Sequence, residues 1–125
     1  MKSAVAGESP KVNGNGSYSR DFTFIENAVQ ANVKALLHTP NLEQHEVCNI
    51  AVGDRTTVLD LWNAIRDAAE IDLEPDFGPV RPGDVPHSQA SIQKAQKLFG
   101  YDPKFLIKEG IKITFDWFME AYKSF

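Results

Sequence analysis

The 125-residue chain predicts an α/β fold in a single domain, with short strands joined by about four or five helices. Two observations carry that prediction. Val47-Cys48-Asn49-Ile50-Ala51-Val52 is nearly continuous apolar sequence, the pattern of a strand buried on both faces of a parallel sheet. Elsewhere, apolar residues recur every three or four positions, as on one face of a helix, with Asn-Gly and Pro-Gly segments punctuating the runs.

Taken in order, Met1 to Ala6 reads as the tail of a helix ended by Gly7, a first hint of a longer parent. Pro10 to Asn13 suits a short strand. The Asn13-Gly14-Asn15-Gly16 turn follows, with glycines free to take positive φ. Phe22, Thr23, Phe24 and Ile25 read as a strand, and Asn27 as the N-cap of a helix over 28–37, with Gln30 completing a capping box. The stripe of that helix is Ile25, Val29, Val33, Leu36 and Leu37, and Thr39-Pro40 ends it.

After the Val47–Val52 run and the Gly53-Asp54-Arg55 loop, Thr57 caps a helix with Asp60 at its third position. Val58, Leu61, Trp62, Ile65 and Ala69 form its buried face. Leu73 to Phe77, bracketed by Pro75 and Pro79, suits an edge strand. Gly78 to Gln89 is a loop. Ser91 is placed to cap a short helix with Ile92, Ala95, Leu98 and Phe99 inward, closed by Gly100. The last helix spans Ile107 to Tyr122, with Ile107, Ile111, Phe115, Phe118 and Tyr122 on one face and most of its aromatics in the core. Gly110 there costs about 1 kcal/mol relative to alanine, so a packing reason is expected.

Composition narrows the partners. Hydrophobic content of 42% and a charged fraction of 24% are ordinary for a globular domain, and a net charge of −4 argues against nucleic acid. No apolar run reaches the length of a membrane span, and Met1-Lys2-Ser3 opens no leader pattern. The single Cys48 predicts a buried structural thiol and a reducing cytoplasm. His38 sits at a helix C-terminus, His45 in a loop and His87 after the second arginine loop. Their spacing supports no metal site, and no nucleophile elbow is present.

Two stretches carry the candidate chemistry. In Gly14 to Phe22, Arg20 precedes Asp21 where the turn becomes a strand, and a guanidinium held there can grip a phosphate bidentately. Spacing alone favours a solvated charge or an ion pair with Asp21. The second stretch is Arg81-Pro82-Gly83-Asp84-Val85-Pro86-His87-Ser88, where Asp84 by itself reads as turn chemistry after Gly83.

Together, Gly14-x-Gly16-x-x-x-Arg20-Asp21-Phe22 and Arg81-x-Gly83-Asp84-Val85-x-His87-Ser88 resemble the UDP-binding signatures of the extended short-chain dehydrogenase/reductase family. These are the NAD-dependent nucleotide-sugar epimerases and dehydratases. Ala31-Asn32, the run Asn49 to Thr57, Lys94-Ala95 and Leu98-x-Gly100-Tyr101-x-Pro103 extend the likeness over essentially the whole chain, which is most similar to bacterial UDP-N-acetylglucosamine 4-epimerases. The family's glycine-rich dinucleotide loop and Tyr-x-x-x-Lys pair are not in this sequence. The resemblance therefore covers the C-terminal portion of a Rossmann-type enzyme, without its NAD-binding part.

The resemblance implies that Arg20 and Arg81 hold the diphosphate of a UDP-N-acetylhexosamine, and that Asp84 accepts from the ribose hydroxyls. It places Lys11, Val12 and Asn13 near the uracil and has Ser88 leave room for the N-acetyl group. NAD would exchange hydride at the sugar C4 in the full-length parent, serving polysaccharide-precursor synthesis. The fragment alone would bind no cofactor and catalyse nothing. Pro86 stands where the subgroup often has arginine, Ser91 where it often has aspartate, and Leu106 where a hydroxyl caps the last helix. The rivals are part of a related dehydratase or decarboxylase, and a truncated binding or interaction module. Val47–Val52, stripped of Rossmann neighbours, would invite self-association.

Overall fold

Helix α1 (Lys2–Ala6) ends at Gly7, whose φ of 69° is the left-handed cap that glycine adopts without steric cost. The structure, a computed structural model, describes residues 1–38 and 45–122. Strand β1 (Lys11–Asn13) leads through the Asn-Gly turn to β2 (Ser19–Arg20) and then to α2 (Ile25–His38). Next come β3 (Thr56–Thr57), α3 (Val58–Ala69), β4 (Asp76–Gly78), α4 (Gln93–Phe99) and α5 (Ile107–Tyr122). β1 pairs in parallel with β4, Val12 opposite Phe77, while β2 pairs antiparallel with β3, Arg20 opposite Thr56. These short strands and helices are the α/β class that the sequence predicts.

Two apolar clusters hold the elements. Ala4, Trp62, Ile65 and Phe115 join α1, α3 and α5. The Trp62 indole also donates to the Leu73 carbonyl at 3.0 Å, tying the exit of α3 to its own face. Ala31, Ala95, Phe99 and Tyr101 join α2 to α4. Thr57 caps α3 as its sequence predicts, its hydroxyl accepting from the Asp60 amide at 3.0 Å. Gly110 has its packing reason: a Cβ there would lie 3.0 Å from Cβ of Phe24, whose ring packs 5.1 Å from that of Phe105.

Several local expectations are overturned. Phe22 to Phe24 form no strand, because Phe24 turns inward onto α5, and α2 begins at Ile25. Asn27 is therefore inside the helix rather than capping it. Fully buried, it donates to the Phe105 carbonyl at 2.7 Å and accepts from the Lys104 and Phe105 amides at 2.9 and 3.2 Å. Gln30 likewise brackets the backbone of Asp102 at 2.7 and 2.9 Å instead of completing a capping box. Both amides satisfy an irregular segment that no strand pairs.

Val47 to Val52 form no strand among the described residues. A strand needs a ladder partner; here the Val52 amide and the Ala51 carbonyl are satisfied by side chains, Asp21 and Tyr101. Cys48 is only half-buried and lies at the edge of the α2–α4 cluster. The edge strand expected at Leu73 to Phe77 is displaced to Asp76–Gly78, where Asp76 N–H meets the Pro10 carbonyl. Ser91 does not cap α4. Ile92 occupies that position with helical backbone, its side chain set against Gly53.

The predicted stripe of α2 faces outward. Ile25, Val29, Val33, Leu36 and Leu37 are all exposed, Leu36 to 84%, while Asn27 and Ala31 take the inner face. On α5, Phe115 is buried but Trp117 and Tyr122 are exposed, and Phe118 stacks on Tyr122 at 5.4 Å. Thr39-Pro40 lies outside the described residues.

Candidate functional site

Ser19, Arg20 and Asp21 are fastened residue by residue to the segment Pro86 to Ala90. The Ser19 amide donates to the Pro86 carbonyl at 2.9 Å, and the Ser88 amide donates to the Ser19 carbonyl at 3.1 Å. These bonds form a parallel bridge between Ser19 and His87. The buried Ser19 hydroxyl meets Nδ1 of His87 at 2.9 Å. Arg20 donates through Nη1 to the Ser19 and Pro86 carbonyls at 2.8 and 3.4 Å.

Asp21 works on the other side. One carboxylate oxygen accepts from Val52 N–H at 2.9 Å; the other accepts from Gly53 N–H at 3.0 Å and from Ala90 N–H at 3.4 Å. A carboxylate has lone pairs enough for all three. The ion pair with Arg20 that spacing favours is absent among the described residues. Nearby, the Tyr101 hydroxyl donates to the Ala51 carbonyl at 2.7 Å. Burial, and secondarily the Asp21 charge, pushes that phenol above its ordinary pKa.

Arg81 and Asp84 sit in the turn that opens the same loop. Gly83 adopts φ 85°, the Asp84 amide donates to the Arg81 carbonyl at 3.3 Å, and the two side chains approach to 3.8 Å. Arg81 is exposed, so this ion pair contributes little and leaves the guanidinium available. The loop is anchored at both ends on one stretch of chain: Val80 lies against Gly14, and Pro86 is bonded to Ser19 and Arg20. Ser88 is exposed beside Ser19. Lys11, Val12 and Asn13 form β1, with Val12 buried and its neighbours exposed. The folded chain thus brings Arg20 and Ser88 to one carbonyl, keeps Arg81 and Asp84 on the loop between their anchors, and sets β1 beside the strand that feeds the loop.

Sequence reasoning missed Ser19, Asp21, Asn27 and Tyr101 as organisers. The available signal was polar residues inside aromatic runs, notably Asp21 before Phe22-Thr23-Phe24. An apolar cleft of about 590 Å³ lies elsewhere, lined by Phe22, Phe24, Ile25, Leu106, Ile113 and Trp117. Neither arginine reaches it, and it offers a diphosphate no cation. No helix among the described residues is long and apolar enough to cross a membrane.

The family model described as GDP-mannose 4,6 dehydratase matches residues 1–114. The UDP-glucose 4-epimerase of Mycolicibacterium smegmatis is 32% identical over 114 residues, 91% of this chain and 36% of the relative. The solved UDP-glucose 4-epimerase of Thermotoga maritima with UDP-glucose is 33% identical at a TM-score of 0.85, covering 97% of this chain and 38% of that one. UDP-glucuronic acid 4-epimerase of Bacillus cereus, in complex with UDP-glucuronic acid and NAD, is 26% identical at a TM-score of 0.87, with 97% and 38% covered. The chain thus spans well under half the length of these proteins. It belongs to the GDP-mannose 4,6 dehydratase family and corresponds to the C-terminal part of an extended short-chain dehydrogenase/reductase epimerase.

Proposed function

We propose that the chain is the UDP-sugar-binding portion, a single domain over 1–125, of an NAD-dependent UDP-N-acetylhexosamine 4-epimerase acting in the cytoplasm on polysaccharide precursors. The observation that carries this reading is the bond from Arg20 to Pro86, which ties one guanidinium to the loop bearing the other and Asp84. Arg20 and Arg81 hold the diphosphate, Asp84 takes the ribose hydroxyls, β1 borders the uracil, and Ser88 admits the N-acetyl group.

On this reading NAD is held by the rest of the parent enzyme, since the glycine-rich dinucleotide loop is not in this sequence. The chain's own contribution is to hold the nucleotide while the sugar turns, and by itself it has no epimerase activity.

Titration with UDP tests this. Saturable binding is expected, weakened roughly ten- to a hundredfold in Arg20→Ala or Arg81→Ala, since each loses a charge-assisted hydrogen bond of about 1.5–3 kcal/mol. No binding at millimolar UDP would leave a remnant or an interaction module. The description of the matching family favours a second reading, part of a nucleotide-sugar dehydratase. GDP binding tighter than UDP binding would select it.

A further inference from the structure

We infer that Ser19 and His87 are positioning residues for nucleotide binding: their side-chain bond holds the loop carrying Arg81, Asp84 and Ser88 in register with Arg20. This rests on the reading of the site as a UDP-sugar subsite. Among the described residues, the fastening of Ser19–Asp21 to Pro86–Ala90 contains one bond between two side chains, Ser19 Oγ to His87 Nδ1 at 2.9 Å. Every other link there uses a backbone group.

The Ser19 carbonyl receives both the Arg20 guanidinium, at 2.8 Å, and the Ser88 amide, at 3.1 Å. The position of one phosphate-binding cation and that of the sugar-facing serine are thus set at one atom. What fixes Ser19 fixes both. Ser19 is only 4% exposed, so its hydroxyl has little water to turn to if His87 is lost. His87 is exposed as a whole residue, and its neighbour Pro86 is committed to Ser19 through the backbone. The imidazole is thus the loop's own side-chain anchor on β2. An anchor of this kind lowers the cost of ordering the loop around a ligand.

The test uses the 125-residue chain with UDP as probe, comparing Ser19→Ala, His87→Ala, Ser19→Thr and His87→Asn. Asparagine keeps a polar atom near the place of Nδ1. Amide hydrogen exchange at Ser88 reports the clamp directly, and exchange at Val52, held by Asp21, reports general folding. The two alanine variants are expected to weaken UDP binding by roughly three- to tenfold and to speed Ser88 exchange, with Val52 unchanged. His87→Asn or Ser19→Thr should restore most of the affinity. Retained UDP binding with unaltered Ser88 exchange in Ser19→Ala overturns the positioning role alone. So does failure of both conservative variants to recover affinity, which would make the pair a packing contact. Absence of UDP binding by the unsubstituted chain overturns the functional reading and the positioning role together.

Discussion

Arg20 donates to the carbonyl oxygen of Pro86 across 66 positions of sequence, and that bond joins the two arginine stretches into one structure. The guanidinium is not paired with its neighbour Asp21, whose carboxylate is taken up by backbone amides. Adjacent residues of opposite charge therefore do different work: Arg20 reaches the loop at Pro86, and Asp21 holds the Val52, Gly53 and Ala90 amides.

Replacing Asp21 with asparagine is expected to be costly. The amide keeps one acceptor oxygen and turns an NH₂ toward a backbone N–H, so at least one of three bonds is lost and the rest lose their charge. A destabilisation of about 2–3 kcal/mol is predicted in urea unfolding. A variant as stable as the parent chain would show that the three contacts carry no net energy.

Tyr101 predicts an alkaline limb in stability. Its phenol pKa is raised above the ordinary 10.0, first by burial and then by Asp21. A group raised on folding contributes stability that is fully present below the unfolded value and is lost as pH rises through the folded one. Stability should therefore hold up to about pH 10 and fall above it. Tyr101→Phe should flatten that limb while lowering stability at neutral pH by about 1–2 kcal/mol, because the Ala51 carbonyl loses its donor. An unchanged alkaline limb in Tyr101→Phe would assign it to other groups.

These two residues show what the sequence made legible. The caps at Gly7, Thr57 and Gly100 and the bounds of α5 follow from local chemistry, which a single sequence displays. The amphipathic period of α2 was legible too, but a period does not say which face meets the protein. On the small inner face Ala31 packs onto α4 and buried Asn27 bonds the Lys104–Phe105 segment, and the larger apolar stripe is left outside. Val47–Val52 failed for a related reason: strand formation depends on a partner, and pairing is not written in the strand itself. Of the candidate site, the arginines and Asp84 were legible as motifs. The clasp by Ser19 and Asp21 was not, since it joins segments 31 to 69 positions apart.

The exposed stripe gives a solution prediction. Ile25, Val29, Val33, Leu36 and Leu37 lie exposed on α2, and this apolar face is predicted to drive self-association, in place of the open strand edges expected from Val47–Val52. Light scattering should show mass rising with concentration, and Val29→Lys with Leu36→Glu should return a monomer. A monomeric parent chain that binds no hydrophobic dye would contradict this.

Ser88 is predicted to set sugar selectivity in the proposed site. Ser88→Tyr should weaken UDP-N-acetylglucosamine by roughly tenfold or more while leaving UDP-glucose near its original affinity, since bulk there excludes only the larger substituent. Equal affinity changes for the two sugars, or none for either, would contradict this selectivity role.

The most direct measurement is a crystal structure of the chain with UDP bound. The account predicts the pyrophosphate between Arg20 and Arg81, each within hydrogen-bond distance, with a ribose hydroxyl on Asp84. UDP seated in the apolar cleft beside Phe24 and Trp117, or touching only one of the two arginines, would contradict it.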